Sequence, residues 1–170
     1  MTMEAPPVDV TRVRRGRVRL AARTALCAAG GILLCAAPAH AQRLELSVSP
    51  AAITFASADP DVSPTVASAP VLVSIRIRQS AGPWRLTLLA NGDLISGSST
   101  VDITNVTWTA TPAPPFQNGT LSKTVAQSVA TGTGNVNPAQ NGSLTFRLAN
   151  SWNYDAGTYT QTIVFTLSAP

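Results

Sequence analysis

Cysteine occurs twice in the 170 residues and histidine once, and Cys27, Cys35 and His40 all fall within the first forty. Beyond residue 41 the only lysine is Lys123, in a polar Ser/Thr stretch. Nucleophilic catalysis by Ser or Cys needs a neighbouring His or Lys to take its proton, so this shortage removes the familiar hydrolase plans. Zinc and copper sites lose their usual ligands for the same reason. The Gly-containing run "GTGNVN" follows a Thr-rich stretch and opens no helix, so it makes no phosphate loop. Beyond residue 41, six scattered acids leave glycosidase-type carboxylate pairing as a remote option. The expectation is a protein that is not an enzyme and needs no cofactor or metal.

The two cysteines and the histidine belong to a separate segment. Residues 12–23, "RVRRGRVRLAAR", hold six arginines and no acid. An uncharged run, "TALCAAGGILLCAAP", follows, and then "AHAQ". A basic region, an apolar region and an Ala-x-Ala site together predict a secretory signal peptide over residues 1–41, cleaved between Ala41 and Gln42. The apolar run is too short and too rich in Gly and Ala to read as a membrane anchor. Ordinary Sec-type export fits best. Gly16-Arg17-Val18 lacks the apolar residues expected after a twin-arginine pair, and Leu34 stands where lipidation at Cys35 would need a small residue.

Removing that leader changes the electrostatics. Residues 42–170 carry Arg43, Arg76, Arg78, Arg85, Lys123 and Arg147 against Glu45, Asp59, Asp61, Asp93, Asp102 and Asp155. Six against six gives a net charge near zero, so nucleic acid is not an expected partner. Without cysteine the exported part has no disulfide and must hold together by its core. Its 129 residues suffice for one domain, since such a chain buries roughly two-thirds of its unfolded surface.

Period-two alternation is the dominant pattern. Val71, Val73, Ile75 and Ile77 share one face, with Ser74, Arg76 and Arg78 on the other. The same alternation places Trp84, Leu86 and Leu88 together, then Leu144, Phe146 and Leu148, then Leu44, Leu46 and Val48. Each set predicts a strand with one buried face. Val101 and Ile103 are out of phase with Val106 and Trp108, which a one-residue bulge near Thr104-Asn105 would reconcile. Residues 121–129 fit either helix or strand spacing, and their Ser/Thr content favours strand. Asn91-Gly92, Asn118-Gly119 and Asn141-Gly142 predict turns, with "LTLLANGDLIS" as a hairpin. "DPDVSP", "TPAPPF" and "TGTGNVNPAQ" predict loops. Together these features predict an all-β protein, an antiparallel sandwich of about seven to nine strands over residues 42–170.

Several side chains are candidates for contact with other molecules. Arg76, Arg78, Arg85 and Arg147 project from the polar faces of strands, and on neighbouring strands they would make an exposed basic stripe for sugar acids, lipopolysaccharide or a protein partner. Charged residues also keep a sheet soluble and discourage edge pairing, which is the plainer account. Asp59 and Asp61 flank Pro60 and offer oxygens to calcium, or simply form a solvated turn. Trp84 and Trp108 belong with core residues, while Trp152 lies outside a strand and is the best candidate for an exposed aromatic.

"DAGTY" at residues 155–159 resembles the Asp-x-Gly-x-Tyr run that makes the tyrosine corner of immunoglobulin folds. Gln161 stands where those domains carry a cysteine. The continuation "AGTYTQTIVFTL" is similar to the C-terminal strand of pilin subunits of chaperone–usher systems, including the spore-coat-U-like type. Tyr159, Ile163, Phe165 and Leu167 alternate there with threonines. The chain departs from those pilins in finishing Ser168-Ala169-Pro170 and in lacking their cysteine pair. The resemblance implies an immunoglobulin-like sandwich short of one strand, completed by a strand from a neighbouring subunit. "RLELSVSPAAITFASADPD" further resembles the mature start of small secreted bacterial surface proteins.

Two functions follow as expectations. One is an exported structural or adhesive surface component of fimbrial type, self-assembling by strand addition, with Leu44, Leu46 and Val48 in the donated segment. The other is a self-contained periplasmic or extracellular module for glycan or protein, with that segment paired in its own sheet. Neither requires a transmembrane segment after residue 41.

Overall fold

The computed structural model describes residues 42–155 and 157–169. The expected signal peptide, residues 1–41, lies outside the described residues, and with it Ala41 of the expected cleavage site. Gln42 directly precedes the first strand. The strands are β1 (Arg43–Ser49), β2 (Thr65–Ala67), β3 (Val71–Arg78), β4 (Pro83–Ala90), β5 (Leu94–Ser96), β6 (Ser99–Val101), β7 (Val106–Thr111), β8 (Gly119–Thr120), β9 (Gln127–Thr133), β10 (Val136–Ala149) and β11 (Ile163–Ser168). A 3₁₀ turn, Ile103–Asn105, is the one helical element among the described residues. The total exceeds the expected seven to nine because β2, β5, β6 and β8 span only two or three residues each. Segments so short carry no period to detect.

Every strand pair is antiparallel. The larger sheet runs β1-β3-β10-β7-β8, and the smaller runs β11-β4-β9. The long β10 is the spine of the larger sheet. β7 takes one of its edges, while β2 and β3 share the other, end to end. Ser68 bridges the gap between them. Its N–H donates to Phe146 O (2.8 Å), and its hydroxyl accepts from Phe146 N (3.2 Å) while donating to Ala69 O (2.7 Å). The ladder thereby continues up to Pro70, which has no N–H to give. β5 and β6 form a separate hairpin, tied to Thr160 through Ile95.

The alternating apolar faces meet between the two sheets in a sandwich-like arrangement. Val71, Val73, Ile75 and Ile77 pack in one core with Trp84, Leu86, Leu88, Trp108, Leu144, Phe146 and Leu148. Fully burying a side chain of this size contributes about 1.5–3 kcal/mol, which makes this core the main source of stability among the described residues, none of which is a cysteine.

Five local expectations are corrected. "LTLLANGDLIS" is not a hairpin: β4 is flanked by β9 and β11, and β5 turns away to pair with β6. Long-range partners on both edges of β4 leave no place for a local one. Instead of a bulge, the 3₁₀ turn at Ile103–Asn105 resets the apolar phase, capped by Asp102, whose carboxylate accepts from Thr104 N and Oγ1. Asn141-Gly142 lies inside β10, paired with Ser74 and Val73 of β3, and the Phe116 ring occupies the space a Cβ at position 142 would need. In "TGTGNVNPAQ" only Gly134-Asn135 is a loop. Gly134 turns at φ +74 and carries the chain from one sheet to the other. In residues 121–129 the strand begins only at Gln127. Ser122 Oγ accepts from the N–H groups of Thr124 and Val125 and holds the preceding segment in a turn.

Candidate functional site

The two strands at one flank of the sandwich differ from the rest. β1 pairs with β3 over seven residues, from Arg43↔Arg78 to Ser49↔Leu72. This places Leu44, Leu46 and Val48 against the core but only half-buried. β11 pairs with β4 from Ile163↔Ala90 to Ser168↔Arg85, and Ile163, Phe165 and Leu167 are likewise half-buried. Among the described residues neither strand has a partner on its other edge. They belong to different sheets yet approach each other, so the two free edges border the same flank. An unpaired edge presents a row of N–H and C=O groups for another strand. Val164, on the outer face of β11, is 41% exposed.

The four arginines do not form a stripe. Arg76 and Arg78 lie on the outer face of β3, and Arg147 lies near the far end of β10, opposite Ala67 and Thr107. Arg85 is on β4 in the other sheet, where it faces the opposite side of the molecule. Arg76 and Arg78 instead pair across strands with Glu45 and Arg43. Arg43 Nε meets Glu45 Oε1 at 2.7 Å, and Arg76 Nη1 stands 4.0 Å from Glu45 Oε2. The outer face at β1 and β3 is thus a mixed cluster of three cations around one acid.

Lys123 is engaged in a pair that the sequence pattern did not reveal. Its Nζ is 2.6 Å from Asp93 Oδ2 and 4.0 Å from Asp102 Oδ2. Asp93 Oδ1 accepts from Ile103 N (3.1 Å), and its carbonyl accepts from Gln161 Nε2 (2.6 Å). The Lys123 hydrogen bond, then the Ile103 N–H, hold the Asp93 carboxyl below the usual range, and the same contact raises Lys123. The Thr104 hydroxyl and N–H lower Asp102. These bonds tie the β4–β5 connection to the segments before β9 and β11. They make Lys123 a tether between these segments.

At the end of β10 two loops are bound together. Asn150 Nδ2 donates to Ala58 O (3.1 Å) and Ser63 O (3.0 Å), and its N–H donates to Pro64 O. Asp59 closes the first loop on itself: Asp61 N donates to its Oδ1, and Val62 N and Ser63 N to its carbonyl. Trp152, in the second loop, donates from Nε1 to Asp61 Oδ1 at 3.1 Å and is 68% exposed. Trp84 and Trp108 are buried. They lie against Gly132 and Gly119, their cross-strand partners, at positions where any Cβ would collide with the indole.

Tyr159 is buried, and its hydroxyl donates to Asp155 O at 3.1 Å, four residues upstream. Ser99 Oγ donates to the Asp155 carboxylate. Beside Tyr159 a narrow apolar cavity of about 40 Å³ lies among Phe55, Leu94, Ile103, Leu121 and Ile163. Among the described residues no group of three or more His, Cys, Asp or Glu side chains could hold a metal ion. No helix among them is long and apolar enough to cross a membrane. No protein-family model matches the chain, and no curated protein matches it.

Proposed function

We propose that the protein is an exported, non-enzymatic surface component with an immunoglobulin-like sandwich, structural or adhesive in role, that associates by strand addition at the free edge of β11. The observation that carries this reading is the pair of open edges on one flank, with six half-buried apolar side chains behind them. An incoming strand hydrogen-bonded to β11 would cover Ile163, Phe165 and Leu167 and satisfy the unpaired backbone groups. Residues 43–49 of a neighbouring copy are the natural donor, because β1 has a ladder on one edge only and can leave β3 without breaking a second. The bond from Tyr159 to Asp155 supports the immunoglobulin-like part, since a tyrosine corner makes the same upstream hydroxyl–carbonyl bond.

A second reading keeps β1 in place. The unbroken seven-residue register between β1 and β3 favours a self-contained binding module for glycan or protein. Light scattering coupled to size exclusion, over a range of concentrations, separates the two. Strand addition predicts oligomers that grow with concentration and are lost in Val164→Lys, which places a charge beside the free edge. A monomer at every concentration overturns it in favour of the self-contained module.

A further inference from the structure

An indole two-thirds exposed at the end of a sandwich needs a physical reason, because a surface Trp forfeits the large area it could bury. Trp152 is also held, not loose. Asn150 clamps the loop on which it stands to the 58–64 loop through three hydrogen bonds, Ser151 accepts from Asn153 N, and Asp61 takes the indole N–H. The ring is therefore presented in a set orientation before anything binds. Pre-organisation of this kind lowers the ordering cost of association.

The surroundings select among ligands. The two loops read Ala-Asp-Pro-Asp-Val-Ser-Pro and Asn-Ser-Trp-Asn-Tyr-Asp, with three acids and no Lys or Arg. Anionic membranes, nucleic acids and acidic sugars meet like charge there. A protein partner would want a contiguous apolar patch, but the only other large apolar side chain strongly exposed in these loops is Val62, at 79%. What remains around the ring is short hydroxyl, amide and carboxylate side chains. A pyranose has matching chemistry, with an apolar C–H face to lie on an indole and a rim of hydroxyls to donate to carboxylates.

We propose that the 58–64 and 150–155 loops form a binding site for neutral carbohydrate, in which Trp152 is the stacking face and Asp61 the hydroxyl acceptor. Asp61 Oδ1 holds the indole, and Oδ2 serves the sugar. The inference gives the adhesive role a ligand class and rests on that reading only for access to glycans outside the cell. The loops take no part in the β1 or β11 ladders, so the site operates in monomer and assembly alike.

The test is titration of the full protein with neutral oligosaccharides built from glucose, galactose, mannose and N-acetylhexosamines, followed by calorimetry and by acrylamide quenching of tryptophan fluorescence. With Trp84 and Trp108 buried, quenching reports chiefly on Trp152. At least one neutral sugar should bind and shield it. Trp152→Ala should weaken binding ten-fold or more with an unchanged melting temperature, Trp152→Phe should keep part of the affinity, and Asp61→Asn should lose several-fold. Val164→Lys should bind as the parent does, whatever its effect on assembly. Silence across the neutral set, binding confined to uronic-acid oligosaccharides or anionic vesicles, or full affinity in Trp152→Ala would each overturn the proposal.

Discussion

β3 and β11 are both alternating strands with apolar residues at every second position, yet they end in different states. On β3, flanked by β1 and β10, Val71, Val73, Ile75 and Ile77 are all buried. On β11, flanked among the described residues by β4 alone, Ile163, Phe165 and Leu167 remain half-buried. The side-chain pattern is the same and the neighbours differ. In these two strands alternation determines which face turns inward, and the second flanking strand of β3 accompanies the fuller burial.

The sharpest way to break this contrast is to truncate one aromatic side chain in each region, Trp108 of β7 in the core that β3 lines and Phe165 of β11. Trp108→Ala in the centre should cost about 3–5 kcal/mol in denaturant unfolding. It also strands the carbonyl of Gln117, which accepts from the indole at 2.9 Å. Phe165→Ala on the edge should cost only about 1–2 kcal/mol, because part of the ring is already wet. Equal losses would mean that the flank is covered in solution, and the Phe165 variant would then acquire a concentration dependence.

Acidity should produce the smallest effect. Asp93 has a lowered folded pKa, so its contribution is present above the ordinary carboxylate value of about 4 and is lost as pH falls through the folded value. Lys123 is raised, so its contribution is present below the ordinary lysine value of about 10.4 and is lost as pH climbs through the raised one. Melting temperature should be flat from about pH 5 to about pH 10 and decline modestly beyond each limit. Lys123→Met should flatten much of both declines, since each shift begins with this pair.

β9 and the first half of β10 lack apolar alternation and were not legible, whereas the long strands that carry it were, because it has one reading. Val71–Arg78, Pro83–Ala90 and the Leu144–Leu148 stretch show it directly, and so does the separation of Trp84 and Trp108 from Trp152. The failures share a cause, which is that local turn chemistry yields to distant partners. Asn141-Gly142 has every mark of a turn and became strand because its backbone pairs with Ser74 and Val73, nearly seventy residues away. The arginine stripe dissolved because alternation says which face a residue occupies but not which sheet it joins. Lys123–Asp93 and the Asn150 clamp were invisible for a related reason. Their partners stand thirty and more than eighty residues away, and no spacing rule connects them.

β10 has a consequence for how the chain comes into being. β2, β3 and β7 all precede it in sequence and all lean on it, just as β4 leans on β9 and β11. A polypeptide emerging from its N-terminus can pair β1 with β3 early, but neither sheet can close until the last third has appeared. Contacts this distant in sequence form slowly. The nascent chain thus stays pliable for most of its synthesis, and its two sheets close together only near the end.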